Sequence, residues 1–398
     1  MTQPLYPITE RQERFVAVAQ ELATKFSSRA AEYDRTGAFP FANYVDIRAS
    51  GLPALTVPIE YGGWGANLLE TLLVAENLAV GDGSTALAVV MHLHTIGNIA
   101  ESRSWPESLF VHICRAAVEE GALINSIATE PELGSPSRGG KPATTATPVP
   151  AIGKRAAGYL INGRKSFASM SPVLDFMIVP AALEDGSDQV ANFVISPGEG
   201  VEIVETWDAL GMRSTGSHDV ELKDVFVPTD RMIPPGVPNP VTKPKLNPWF
   251  TLAVSVVYLG VAAAALQCAV GFAQERVPTA LGKPIAELES IQRRLGEAEL
   301  LLQQGRSQIY HAADLWDRYP NRRTDMVESI LVAKYSATNN AIGVVDHCLR
   351  VAGGASMTKA LPLERYYRDV RGGIVHPMHD DMIFTTLGQM ALARHTPE

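Results

Sequence analysis

Titratable side chains gather at two places in the chain. Near the C-terminus, His376-Pro377-Met378-His379-Asp380-Asp381 sets two imidazoles beside two carboxylates. An imidazole, with an ordinary pKa of roughly 6.5, gives and takes protons near neutral pH, and an adjacent Asp can fix which ring nitrogen carries the hydrogen. His376, His379 and Asp380 are therefore the candidate catalytic groups. Two plainer readings stand beside this one. A metal site needs a tetrahedral ligand set, which two His and two Asp on one Pro-bearing turn rarely make, and no metal is expected. Asp380 or Asp381 can also serve as the N-cap of a helix over Met382 to Ala393, a role compatible with chemistry by the other residues. The second place is Met91-His92-Leu93-His94, in an otherwise apolar helical stretch. Residues two apart point in nearly opposite directions around a helix, so at most one of His92 and His94 can face a substrate pocket.

A third stretch, Ile124 to Met170, offers the other half of a binding site. Ala128-Thr129-Glu130-Pro131 and Gly134-Ser135 precede Tyr159-Leu160-Ile161-Asn162-Gly163-Arg164-Lys165, and then Ser166-Phe167-Ala168-Ser169. Asn162-Gly163 tolerates the left-handed backbone of a tight turn, and the β-prone residues on either side predict a hairpin there. Small and hydroxyl residues beside a strand aromatic suit a flat ring system with a polar rim, which needs donors for its edge and an apolar face against its plane.

Positioning these residues takes more than one domain. The chain has 398 residues, with 46% hydrophobic and 19% charged, the balance of an ordinary globular protein with a sizeable core. A net charge of −9 without a basic run argues against nucleic acid or an anionic membrane as principal partner. Cys114, Cys268 and Cys348 are far apart and odd in number, which favours buried thiols in a reducing cytoplasm. The N-terminus carries no charged and apolar signal region, so a cytoplasmic location is expected. Thr251 to Ala273 is uncharged and long enough to span a bilayer, but its Ala, Gly, Ser and Gln267 suit the centre of a helical bundle.

Thr9 to Gln12 has the form of a capping box, followed at helical spacing by Phe15, Val18, Ala19, Leu22 and Phe26. Leu68 to Val80 and Ala86 to Ile99 read as further helices. From about Ser126 the texture changes to short β-prone runs: Phe176 to Pro180, Asn192 to Ile195, Val201 to Val204 and Val220 to Val227. Pro234-Pro235, Pro238, Pro240, Pro244 and Pro248 make a stiff linker, and beyond it Thr251 to Arg276, Ile285 to Trp316 and Thr324 to Ala352 are long helical patterns. The last stops at Gly353-Gly354.

Tyr61-Gly62-Gly63-Trp64-Gly65, the Thr129-Glu130-Pro131 loop, the run from Asn162 to Ser169, Gly211-Met212-Arg213, Gly353-Gly354 and Glu364-Arg365-Tyr366-Tyr367-Arg368-Asp369 follow in a recognisable order. On them the chain resembles the acyl-CoA dehydrogenase flavoprotein family along almost its whole length. The resemblance implies an α+β fold: an N-terminal all-α domain over 1–123, a small central β-domain over 124–237 and a C-terminal four-helix-bundle domain over 238–398. It implies FAD, or FMN, between the β-domain and the second bundle, in a homotetramer. Thr129, Gly134, Ser135, Phe167 and Ser169 would contact the flavin. Arg276 would stand near its pyrophosphate, although two extra residues and Leu281 depart from the family pattern. Gln292 and Gly353-Gly354 would approach the adenosine half of a neighbour's FAD.

The sharpest departure concerns the base. The family removes a proton beside a thioester carbonyl with a Glu while flavin N5 takes hydride. Counting from Arg368-Asp369 puts that Glu at Pro377, and the alternative position, counted back from Leu259-Gly260, falls on Phe250. The His cluster stands in its place. The first reading is thus an FAD-dependent oxidoreductase acting on an acyl-CoA or related substrate with a non-Glu base. The His-lined pocket also resembles dibenzothiophene monooxygenase and related flavin monooxygenases, which use reduced flavin and oxygen. A third reading is a non-catalytic flavoprotein that binds a partner. An acyl or aromatic small molecule, and an electron-transfer protein or a flavin reductase, are the partners these readings imply.

Overall fold

The computed structural model describes residues 6–133, 140–153, 156–235 and 246–394. Helix α1 (Glu10–Thr36) starts where the capping box requires, with the Thr9 hydroxyl accepting from Gln12 N and the Gln12 side chain returning to Thr9 N. Helices α2 (Phe41–Ala49), α3 (Leu68–Gly81), α4 (Gly83–Ser102) and α5 (Glu107–Glu119) complete the helical first part. The break between α3 and α4 is made by Asp82, whose carboxylate caps α4 by accepting from Thr85 N at 3.1 Å.

The middle of the chain forms one sheet from β1 (Ile124–Ser126), β2 (Thr145–Val149), β3 (Gly158–Ala168), β4 (Phe176–Leu183), β5 (Val190–Ile195), β6 (Val201–Val204), β7 (His218–Pro228) and β8 (Met232–Ile233). Its order is β6-β7-β3-β2-β4-β5-β8, with β1 added parallel to β4. The hairpin expected at Asn162-Gly163 is not there. Strand β3 runs straight through these residues, paired on one side with β2 and on the other with β7. The ladder slips between Ile161 and Gly163 in a β-bulge, where the Asn162 side chain exchanges hydrogen bonds with Asp224 across the strands. Glycine is needed at 163 for closeness rather than for a turn, since a Cβ would lie 2.5 Å from the Thr144 hydroxyl.

The second helical part comprises α6 (Pro248–Glu275), α7 (Glu289–Arg318), α8 (Val327–Ala352), α9 (Leu363–Asp369) and α10 (Asp380–Arg394). Asn247 caps α6 and Pro248 occupies its first turn, where the missing N–H costs nothing. Although α6 is long and apolar enough to cross a membrane, it lies inside the molecule against α3, α4, α7 and α8. Small residues permit this: at Gly260 a Cβ would come within 2.3 Å of the Glu76 carbonyl of α3.

The three parts of the chain meet at Asp34. Its carboxylate receives the Arg368 guanidinium of α9 at 2.6 and 2.9 Å, and its backbone carbonyl accepts from Arg213 Nε at 2.8 Å. Beside this clasp, buried Asp369 accepts from Met212 N at 2.6 Å, and a Cβ at Gly211 would collide with the Arg368 carbonyl at 2.4 Å. The Gly211-Met212-Arg213 and Arg368-Asp369 signatures are thus packing partners of one another.

Candidate functional site

Between the sheet and the second helical part lies a cavity of about 1420 Å³. Its sheet side is built from the end of β3. There the ladder shifts register a second time, between Lys165 and Ala168, and Phe167 takes a left-handed backbone (φ 55°). That conformation is costly for a residue with a Cβ and persists only when neighbours enforce it. The enforcement comes from Lys165, a fully buried lysine whose ammonium donates to Glu130 Oε1 at 2.6 Å and to the Pro180 carbonyl at 2.8 Å. Burial opposes charge on Glu130, but hydrogen bonds from Lys165, Thr144 and Ala143 outweigh it and hold the carboxyl below its ordinary value. With the chain anchored so, the Phe167 ring is turned outward, 63% exposed, edge-on to Trp207 at 5.7 Å.

Around Phe167 runs a rim of small polar groups. The Thr129 carbonyl accepts from Ser166 N at 2.9 Å, which seats the Ala128-Thr129 loop on β3. Asn125 donates to the Ser169 carbonyl at 3.0 Å, and the hydroxyls of Ser169, Ser217 and Thr215 form a chain with two 2.8 Å links. Thr129, Phe167 and Ser169 all line the cavity. Gly134 and Ser135 lie outside the described residues.

The helical side carries the imidazoles. His94 lines the cavity, while His92 does not. His92 spends both ring nitrogens on the backbone: Nε2 donates to the Pro53 carbonyl at 2.8 Å and Nδ1 accepts from Ile124 N at 3.1 Å. It ties α4 to β1, and its assignment to the substrate pocket is corrected to a structural role. Burial lowers its pKa to about 4. His94, edge-on to Phe250 at 5.2 Å, keeps a buried Nδ1 with no partner in the protein, and burial first, then His92, lowers its pKa to about 3.

Of the titratable groups in the C-terminal cluster, only His376 lines the cavity. Its Nε2 lies 3.4 Å from the hydroxyl of Tyr258, its Nδ1 is buried without a partner, and burial followed by the nearby Lys334 charge lowers its pKa to about 4. Burial raises the Tyr258 phenol far above its ordinary range, so it keeps its proton, and which of the two groups donates across this contact depends on the imidazole tautomer. His379 turns away: its backbone carbonyl accepts from Met382 N and Ile383 N at the start of α10, and its side chain does not line the cavity. Asp380, in the first turn of α10, accepts from Asn339 at 3.1 Å and faces Lys334 at 3.5 Å rather than either imidazole. The expected pairing of Asp380 with a catalytic imidazole is therefore not made.

Arg276, Gln292, Gly353 and Gly354 are exposed on the second helical part and do not line the cavity within one chain. Phe250 and Pro377, the two positions counted for a Glu, both line it. Among the described residues no Asp or Glu does. Nor do three His, Cys, Asp or Glu side chains converge to hold a metal ion among them.

Tyr258, Trp207, Asn125 and Ser217 were not singled out from sequence. For Tyr258 a signal existed: it is the one phenol in the uncharged stretch 251–273. At Gly372 a Cβ would press on its hydroxyl at 2.8 Å, so Arg371-Gly372-Gly373 lets the backbone close over the ring.

Residues 9–102, 126–225 and 252–381 match the family models for the acyl-CoA dehydrogenase N-terminal, middle and C-terminal domains. A putative acyl-CoA dehydrogenase of Bacillus subtilis (strain 168), YdbM, is 38% identical over 392 residues, covering 97% of this chain and 99% of that protein. The dibenzothiophene monooxygenase of Rhodococcus qingshengii is 29% identical over 395 residues, covering 93% and 90%. Among solved structures, FMN-bound TdsC from Paenibacillus sp. A11-2 superposes with a TM-score of 0.84 at 26% identity, covering 96% of this chain and 98% of that one.

Proposed function

The chain belongs to the acyl-CoA dehydrogenase family, and within it we propose that this protein is a flavin-dependent monooxygenase rather than a dehydrogenase. The observation that carries this reading is the lining of the cavity. Proton abstraction beside a thioester needs a carboxylate poised over the carbon. Here Phe250 and Pro377 fill both positions where that group is expected, and no carboxylate of the described residues replaces it. The likeness to dibenzothiophene monooxygenase and to FMN-bound TdsC supports the same choice.

The cavity fits a flavin with a substrate beside it. Its volume of about 1420 Å³ exceeds the range of about 300–1,000 Å³ usual for one small ligand. The outward Phe167 ring offers a flat apolar contact, and the Asn125, Thr129, Ser169 and Ser217 rim offers polar groups for a ring edge. These residues would hold the isoalloxazine half that FMN and FAD share. When bound in its reduced state, a flavin supplies two electrons to dioxygen, one oxygen atom going to the substrate and the other to water.

The chain's own contributions are protons, orientation and dryness. His94 and His376 each bring a neutral imidazole to the cavity wall, with an Nδ1 that is buried and unpartnered in the protein, and these rings are the groups of this chain that would exchange a proton with a bound ligand. Tyr258 stands against Nε2 of His376 and orients the ring. Leu87, Met91, Phe250, Met378 and Met382 form apolar walls that exclude water and suit an aromatic or aliphatic group, while Arg368 and Arg371 also line the cavity.

The test has two halves. FMN-loaded protein mixed anaerobically with short- and medium-chain acyl-CoAs should stay yellow. Supplied with reduced FMN, ¹⁸O-labelled dioxygen and dibenzothiophene or indole as probes, it should release a product carrying the label. Rapid bleaching by an acyl-CoA would instead establish the dehydrogenase.

A further inference from the structure

Residues 205–217 connect β6 to β7 along the cavity, which Trp207, Leu210, Met212, Thr215 and Ser217 help to line. So long a connection without regular structure usually carries function. Its second half is fastened from elsewhere in the chain: Arg368 donates to the Leu210 carbonyl at 3.1 Å, Met212 N donates to Asp369 at 2.6 Å, and the Thr215 carbonyl accepts from Met170 N at 3.0 Å. Its first half is fastened at the foot of β7. Thr206 Oγ1 accepts from Asp219 N at 3.1 Å, and Trp207 N donates to His218 Nδ1 at 3.2 Å.

From that foothold the Trp207 indole meets two strained residues. Its Nε1 donates to the Met212 carbonyl at 3.0 Å, and its ring stands edge-on to Phe167 at 5.7 Å. Met212 and Phe167 both hold a left-handed backbone (φ 53° and 55°), which neighbours must enforce. Where the Trp207 main chain sits therefore bears on both.

A main-chain N–H can only donate, so the bond from Trp207 requires a lone pair on His218 Nδ1, and the proton of the neutral ring is on Nε2. A second proton, on Nδ1, sets one N–H against another and breaks the bond. Three charged groups surround the ring: Glu205 just past β6, Asp219 beside it on β7, and Arg164 of β3, whose guanidinium lies 2.7 Å from Asp219 and offsets it. Burial outweighs both carboxylates and holds His218 below the ordinary histidine value, and the accepted N–H acts in the same direction. At neutral pH the bond is in place.

We propose that His218 is a positioning residue for the cavity wall: through the Trp207 main chain it holds the indole against Phe167, and it lets go when its ring takes up a second proton. The consequence for flavin rests on the reading that Phe167 contacts the isoalloxazine. The latch itself involves only His218 and Trp207.

The experiment uses full-length protein labelled with 5-fluorotryptophan, the Trp207 ¹⁹F resonance being identified by its loss in Trp207→Phe. In the parent this resonance should titrate as pH falls from about 8 to about 5, with a midpoint below the ordinary histidine value. His218→Asn sets an amide oxygen near the place of Nδ1 and cannot be protonated, so its Trp207 resonance should not titrate. His218→Ala lacks the acceptor, and exchange of the Trp207 amide with deuterium at about pH 7.5 should be faster by about threefold or more, while His218→Asn keeps the parent rate. A parent resonance unmoved down to about pH 5 overturns the proposal without any variant. So does a titration that persists in His218→Asn.

Flavin enters through a separate measurement. At about pH 5.5, His218→Asn should bind FMN about threefold or more tightly than the parent, and at about pH 8 the two should agree. Equal affinities at both pH values, with the Trp207 titration present, would leave the latch standing and place the flavin away from Phe167.

Discussion

His92 and His94 stand two residues apart on α4 and are used differently: both ring nitrogens of His92 are closed by the backbone of Pro53 and Ile124, while His94 lines the cavity and its buried Nδ1 has no partner in the protein. The same side chain is a strut at one position and a candidate reactive group at the other. His92→Ala leaves a buried carbonyl and a buried N–H unpaired and should cost about 2–5 kcal/mol of stability, read by urea denaturation. His94→Ala should leave stability within about 1 kcal/mol and lower turnover by a factor on the order of 100. The reverse pattern would exchange their roles.

Acid stability follows from two opposed sets of buried groups. His92, His94 and His376 have folded pKa values of about 4, 3 and 4 against an ordinary 6.5, so their contribution is complete above 6.5 and is lost as pH falls toward 4. Burial raises Asp317 and Asp369 to about 7 from 3.8, so theirs is complete below 3.8 and is lost as pH rises through 7. Between those limits the two aspartates offset two of the three histidines, so the parent should lose stability toward acid with a net slope of about one proton, about 1.4 kcal/mol per pH unit. Asp317→Asn with Asp369→Asn removes one side of the balance and should steepen the loss of stability between about pH 6.5 and pH 4.5. Chemical denaturation at several pH values gives the slopes, and equal slopes in parent and variant would count against this offset.

Flavin retention should depend on the strained end of β3. Phe167→Ala combined with Ser169→Ala removes the apolar face and one hydroxyl of the rim, and should weaken FMN binding by about tenfold or more. Fluorescence titration of the apoprotein measures this. Unchanged affinity would move the flavin away from Phe167.

Light scattering should find a homotetramer, or at least a dimer. The second helical part leaves Leu300, Met357, Val375 and Phe384 more than half exposed, and Gly353-Gly354 does not line its own chain's cavity and has open space where a Cβ would be. A flavin-loaded monomer at micromolar concentration would contradict this.

The order of helices, sheet and helices was legible in the sequence because hydrophobic spacing and turn residues are local properties. So was the buried nature of α6, whose small residues suit a bundle centre. What misled was local reasoning about non-local partners. Asn162-Gly163 has the chemistry of a tight turn, but its Asn pairs with Asp224 and its Gly makes room for Thr144, neither of which adjoins it in sequence. Asp380 adjoins His379 in the chain yet answers to Lys334 and Asn339 in space. The identity of the His94 and His376 pair, and the part played by Tyr258, required knowing which helix faces enclose the same volume.

The Asp34 clasp bears on how this protein comes into being on a ribosome. Its two partners, Asp34 and Arg368, are separated by 334 positions, and the cavity wall gains His376 only a few residues later still. Helices α3 and α4 likewise pack on α6, so the cavity wall stays incomplete until nearly all of the protein has been synthesised. A nascent chain therefore has no enclosed site, and competence to hold a ligand there arrives late.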